Sequence, residues 1–301
     1  MRSALIAAAL TFATLSAHAQ SHEAAFTNAG LTLHYTVEGS GSPVVILAGG
    51  PGFDAGYMQP VADLVAKHHT AILLDQRGTT GSMPATLDPT TITPELYLSD
   101  LEALRTALHY DKWTVLGHSA GTGTAMAYAI QHPEHVTSLV LLATVPPTST
   151  PLEHMDENMV NRLPADAPQQ FHAVMISNAS PDEKMAASVR ILNPAYFYDQ
   201  KAAQDFIAKL KPENAHAATS QILQHAGMPY DDTAGLAKLH APTTIIQGRQ
   251  DPLDLGMAFE TRDAIPGAKL VIIEKCGHFA WLDNPTDFTP ALEAALSQPI
   301  H

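Results

Sequence analysis

Short unbroken apolar runs recur along this chain, separated by longer stretches in which apolar residues return every three or four positions. The runs are Val44-Val-Ile-Leu-Ala48, Thr70-Ala-Ile-Leu-Leu-Asp75, Trp113-Thr-Val-Leu116, Val136-Thr-Ser-Leu-Val-Leu-Leu142, Thr243-Thr-Ile-Ile246 and Leu270-Val-Ile-Ile273. A strand that is apolar on successive residues is buried on both faces, as strands inside a parallel sheet are. The stretches between them, such as Pro94 to Leu108, carry helical spacing. Strand and helix in alternation predict an α/β fold, with a mostly parallel sheet covered by helices on both faces. Leu31-Thr-Leu-His-Tyr-Thr-Val37 instead alternates apolar with polar residues and predicts an antiparallel edge strand.

One interval breaks the pattern. Between about Pro146 and His240 no buried strand is legible, only proline-punctuated helical pieces. This predicts a helical cap over residues 146–240, inserted into a core formed by 20–145 and 241–301. The pieces contain Met155, Met159, Phe171, Met175, Tyr196, Phe197, Tyr198 and Phe206, and helical spacing assigns most of these to the packing of the cap itself.

The first residues interrupt the fold reading. Met1-Arg2 followed by an apolar run and Ala17-His-Ala19 has the form of a secretory signal cleaved after Ala19, so residues 1–19 are set aside. Export to the periplasm or the medium is the corresponding expectation.

The remaining chain, out of 301 residues in all, is long enough for one large core. A net charge of -14 argues against nucleic acid and anionic membrane surfaces as partners, because both attract basic patches. Oligomeric state is not legible in the sequence. Cys276 is the only cysteine, which excludes an internal disulfide and a thiolate zinc cluster.

Candidate chemistry centres on Gly117-His-Ser119-Ala-Gly121, which passes from an apolar strand into an Ala-rich helical segment. This is the form of a nucleophile elbow, a tight turn that lifts a serine above the carboxyl end of a sheet. A serine hydroxyl needs a base. Of the 16 histidines, His278 follows the last apolar run directly, on the loop where that base belongs. The imidazole needs an acid, and Asp251 follows the run Thr243 to Ile246; Asp254 is a nearby competitor, while Asp283 lies too far past the last strand. A tetrahedral intermediate needs two donors for its oxyanion, and the backbone N–H groups of Ala120 and Gly50 are the candidates. Gly121-Thr-Gly123 resembles the start of a dinucleotide fingerprint, but Met126 occupies the third glycine position and excludes it.

These motifs, with Gly49-Gly-Pro-Gly52 and Asp75-Gln-Arg-Gly78-Thr-Thr-Gly-Ser82, resemble the α/β-hydrolase superfamily and, within it, the proline iminopeptidase group. The resemblance covers most of 31–145 and 242–295. It implies an α/β-hydrolase fold with the cap inserted after the sixth strand, and release of an N-terminal residue through an acyl-enzyme. It implies a small-molecule or short-peptide substrate and no metal or organic cofactor. It further implies cap carboxylates that hold the substrate ammonium, for which Glu153 and Glu157, on one face of one cap helix, are the candidates. Two positions depart from the group: Ala48 stands where histidine is usual, and Ala120 where tryptophan is frequent. A carboxylesterase or lactonase acting on small acyl substrates is therefore the rival, with a ligand-binding protein on the same fold as the non-enzymatic alternative.

Overall fold

The structure is a computed structural model and describes residues 21–297. The signal expected over residues 1–19 lies outside them. Eight strands form one sheet in the order β1-β2-β4-β3-β5-β6-β7-β8. β1 (His22–Asn28) and β2 (Leu31–Gly39) are antiparallel to each other, and β2 is antiparallel to β4 (Thr70–Leu74). β3 (Pro43–Leu47), β5 (Trp113–His118), β6 (Val136–Leu142), β7 (Thr243–Gly248) and β8 (Lys269–Ile273) run parallel with β4. The expectation of an edge strand over 31–37 is thereby corrected, since β1 covers β2 and takes the edge. β1 reads His-Glu-Ala-Ala-Phe-Thr-Asn, and only Phe26 is buried, so neither β-branched density nor alternation marks it in the sequence.

Successive residues of the central strands feed opposite faces of the sheet, as the pleat requires. Val45, Leu47, Leu139, Leu141 and Ile245 join one core cluster. Val44, Ile46, Val140, Leu142 and Ile246 join the other. Helix α1 (Gln59–Val65) brings Val61, Ala62 and Val65 to the second cluster. Helices α2 (Pro94–Ala107) and α3 (Ala120–Gln131) bring Leu101, Leu104, Ala125 and Met126 to the first. Each large aliphatic side chain among these contributes about 1.5–3 kcal/mol by leaving water, which holds both helical layers against the sheet.

Between β6 and β7 the described chain contains helices and no named strand. α4 (Met155–Val160), α5 (Ala167–Ile176), α6 (Pro181–Tyr196), α7 (Gln200–Ile207), α8 (Ala217–Ala226) and α9 (Thr233–Leu236) follow one another there. α6 starts on a capping box, with the Ser180 hydroxyl accepting from Glu183 N–H and the Glu183 carboxylate accepting from Ser180 N–H. Two backbone bonds are among the contacts that pin the segment to the core. His216 N–H donates to the Gly52 carbonyl at 2.7 Å, and His278 N–H donates to the Tyr196 carbonyl at 2.7 Å. The core closes with α10 (Leu255–Ala264), α11 (Ala280–Asp283) and α12 (Pro285–Leu296). No helix among the described residues is long and apolar enough to cross a membrane.

Candidate active site

Ser119 joins β5 to α3 and has φ 53° and ψ −127°, a conformation that side-chain-bearing residues rarely adopt. The turn is held from both sides: Ser119 N–H donates to Leu142 O at 2.9 Å, and Ser119 O accepts from Thr122 N–H at 2.8 Å. The flanking glycines are steric necessities. A Cβ on Gly117 would stand 2.5 Å from the Gly121 carbonyl oxygen, and one on Gly121 would stand 2.5 Å from the Ala48 carbonyl oxygen. Helix α3 begins at Ala120, whose N–H is among those that a helix leaves unpaired at its start. Such an amide is free to donate to an anion held beside the serine.

The loop after β3 lies against the elbow, and a Cβ on Gly49 would come within 2.5 Å of Ser119 Cβ. Gly49 N–H is already committed to the Tyr57 hydroxyl. The next amide, on Gly50, is therefore the donor this loop can offer. Gly50 turns the loop with φ 62° and accepts from Phe53 N–H at 2.8 Å.

His278 sits on the loop after β8 and is 5% exposed, while Asp251, after β7, is 1% exposed. His278 Nδ1 lies 2.9 and 3.0 Å from the two Asp251 oxygens. Asp251 Oδ1 also accepts from Leu253 N–H at 2.9 Å, which fixes the carboxylate. Nδ1 being engaged, Nε2 is the ring nitrogen left for proton transfer. No hydrogen bond joins the Ser119 hydroxyl to His278 or to any other described residue. Contacts of that kind are often long in substrate-free enzymes and tighten around the substrate. The structure thus brings His278 and Asp251 into direct contact, with Ser119 on the same sheet rim.

The competing acids are otherwise occupied. Asp254 caps α10, accepting from Met257 N–H at 3.1 Å and from Asn158 Nδ2 at 3.0 Å. Asp283 accepts from three backbone N–H groups, of Gly277, Tyr198 and Asp199. Of the cap carboxylates, Glu153 falls on a separate 3-10 turn (Thr150–His154) and Glu157 on α4, so the expectation of one shared helix is corrected. Pro151, two residues before the first of them, fits the start of that 3-10 turn, where no intrahelical bond needs its missing N–H. The Glu153 side chain lies outside the described part of the structure. Glu157 is exposed and stands 4.0 Å from His154 Nδ1.

Two neighbours of the site escaped the sequence reading. His118, inside the elbow pentapeptide, is 1% exposed and contacts the His278 ring at 4.7 Å between centroids. Burial, together with the adjacent His278, depresses its basicity well below that of an ordinary histidine. Tyr57 stands 2.9 Å from His118 Nδ1. Neither carried a signal beyond its position beside a motif.

Among the described residues, one group could offer three metal-ligating atoms within 4.8 Å of one another: Glu102, His132 and His135. Glu102 already accepts from Arg105, Tyr128 and His135, and His132 lies just past the far end of α3 from Ser119.

A family model described as alpha/beta hydrolase fold matches residues 42–285. A proline iminopeptidase of Lactobacillus helveticus (strain DPC 4571) is 27% identical over 281 residues, covering 89% of this chain and 95% of that protein. A 2-hydroxy-6-oxo-6-(2'-aminophenyl)hexa-2,4-dienoic acid hydrolase of Metapseudomonas resinovorans is 25% identical over 279 residues, covering 91% and 90% respectively. Among solved structures, an alpha/beta fold family hydrolase from Bacillus anthracis str. Sterne superposes with a TM-score of 0.74 at 17% identity, covering 91% of this chain and 99% of the other. The chain belongs to the α/β-hydrolase family and resembles, within it, the proline iminopeptidases.

Proposed function

We propose that this protein is an exported serine hydrolase that works by acyl transfer and releases an N-terminal residue from peptides or aminoacyl amides. The observation that carries the reading is the buried pair of His278 and Asp251 at the same rim as the strained Ser119. In this reading Ser119 Oγ attacks the scissile carbonyl carbon while His278 Nε2 takes the hydroxyl proton. Asp251 orients the ring and stabilises its charged form. The tetrahedral oxyanion receives the N–H groups of Gly50 and Ala120. The carbon–nitrogen bond then breaks and the leaving amine takes the proton from His278. Water attacks the acyl ester, gives a proton to His278 and, as the ester bond breaks, that proton returns to Ser119 Oγ.

Identity with proline iminopeptidases over most of the chain supports the aminopeptidase preference. Glu153 and Glu157 are the proposed holders of the substrate ammonium. A carboxylesterase or lactonase is the second reading, favoured by Ala120, which leaves no aromatic wall beside Ser119. Export follows the proposed signal over residues 1–19, and the mature protein would begin at Gln20.

Prolyl anilide, its N-acetylated form and short-chain aryl esters, offered to wild type and Ser119→Ala, test the reading. Preference for the free amine supports the aminopeptidase, and equal turnover of both anilides supports the esterase. Absence of fluorophosphonate labelling in wild type would favour a binding protein. N-terminal sequencing of the exported protein tests the cleavage site.

A further inference from the structure

The loop that carries Gly49 and Gly50 follows β3, whereas His278 follows β8, and β5, β6 and β7 separate those strands in the sheet. At about 4.8 Å per strand, the two strands lie roughly 19 Å apart in the pairing direction. Their loops must converge on Ser119, yet no sheet hydrogen bond sets one against the other. A short chain of side chains does.

His118 Nε2 lies 3.1 Å from the His278 carbonyl oxygen, and His118 Nδ1 lies 2.9 Å from the Tyr57 hydroxyl. A carbonyl oxygen only accepts, so Nε2 must carry the hydrogen. In the neutral ring Nδ1 then has a lone pair and accepts from Tyr57 O–H. The Tyr57 oxygen accepts in turn from Gly49 N–H. Every donor meets an acceptor, from the Gly49 amide through two side chains to the backbone of His278. The buried position of His118 favours the neutral ring that this direction needs. Trp281 and Phe279 enclose the pair, with Trp281 stacked on Tyr57 and edge-on to His118.

We infer that Tyr57 and His118 are positioning residues that hold the oxyanion loop and the backbone of His278 at a fixed separation on either side of Ser119. Their effect on turnover rests on the serine-hydrolase reading, whereas the bonded chain itself does not. Removing the Tyr57 hydroxyl leaves Gly49 N–H and His118 Nδ1 without partners and lets the glycine loop drift. Loss of an oxyanion donor costs about 10²–10³ in rate, and a donor displaced rather than deleted costs less, about 10–100-fold.

The test compares wild type, Tyr57→Phe, His118→Leu and His118→Gln. Turnover of an aryl ester gives kcat and KM, thermal melting reports folding, and ¹⁵N NMR of the histidine rings reports tautomers. Tyr57→Phe is expected to stay folded, melting several degrees below wild type because two buried polar groups lose their partner, and at temperatures where it is fully folded to lose about 10–100-fold in kcat, with KM within threefold. His118→Gln, which keeps a donor for the His278 carbonyl, is expected to recover part of what His118→Leu loses. A Tyr57→Phe enzyme with kcat within twofold of wild type overturns the inference. So does a loss of rate that merely tracks loss of folded protein. If wild type and variants are all inert, the hydrolase reading fails and the rings decide the rest. A neutral His118 with hydrogen on Nε2, whose Nδ1 resonance moves in Tyr57→Phe, upholds the chain, and a charged ring or hydrogen on Nδ1 removes it.

Discussion

Asp283 accepts the N–H of Gly277 at 2.7 Å, one residue before His278. The same carboxylate accepts from Tyr198 N–H at 3.0 Å and Asp199 N–H at 2.8 Å, on the segment between α6 and α7. It therefore clamps the histidine loop to the helical insertion. Burial raises its proton affinity even against these three donors, so each of them matters to keeping it ionised. Asp283→Asn replaces one accepting oxygen by an NH2 that faces an N–H. The expected cost is about 1–3 kcal/mol, which lowers Tm by several degrees in a chain of this size. Calorimetry checks it, and an unchanged Tm would show that the clamp contributes nothing.

Backbone strain at Ser119 gives a stability prediction opposite in sign to that for activity. Its φ of 53° and ψ of −127° cost a side-chain-bearing residue on the order of 1–3 kcal/mol. Ser119→Gly relieves that cost and loses about 0.5–1 kcal/mol through the freer unfolded chain. The variant is expected to be inactive and to unfold at a urea concentration equal to or above that of wild type. A clear loss of stability would mean that the turn is not strained.

Asp251→Asn keeps the shape of the buried pair but can turn an NH2 toward His278 Nδ1, which favours the wrong tautomer. A fall in kcat on the order of 10⁴, with KM little changed, is expected from steady-state kinetics. Turnover within tenfold of wild type would assign the acid to another residue.

Acid should weaken the contact between the loop after β3 and the insertion. Burial pushes the Asp54 carboxyl up, but hydrogen bonds from His216, Thr80 and Asn214 outweigh it and hold the group at about 2, below the usual 3.8. A depressed folded-state value means stabilisation that is present above about pH 4 and is lost as pH falls toward 2. Tm curves of wild type and Asp54→Asn should therefore differ at neutral pH and converge between pH 4 and 2. Parallel curves throughout that window would remove Asp54 from the account.

An exposed glutamate makes a weak anchor. Glu157 has a side chain 80% accessible, and ion pairs at such sites are worth about 0.2–1 kcal/mol. Glu157→Gln is expected to raise KM for a prolyl anilide by no more than about fivefold, with kcat unchanged. A larger rise would mean that the carboxylate is drawn out of water when substrate binds.

Much of the core was legible because periodicity records burial directly. Val44 to Ala48 reads as a two-faced strand, and its residues do divide between the two clusters. Pro94 to Leu108 reads as a helix, and α2 spans Pro94–Ala107, started by the Thr93 side chain. β1 was missed because an edge strand with one buried side chain leaves almost no periodic trace. Glu153 and Glu157 carry the i and i+4 spacing of one helix face, but that spacing does not record that the first lies on a 3-10 turn and the second on α4.

The sequence by itself determined the alternation of strand and helix and the glycine-flanked serine turn, since both depend on residues within a few positions of one another. It also singled out His278 and Asp251 by their place after two apolar runs. Only the tertiary structure decided that these two touch, that Asp283 serves as a clamp, and that His118 and Tyr57 bridge the loops around Ser119. Those outcomes join segments 6 to 160 residues apart, brought together by strand order and loop closure. A pattern of apolar positions states which side chains leave water, but not which partner each meets there.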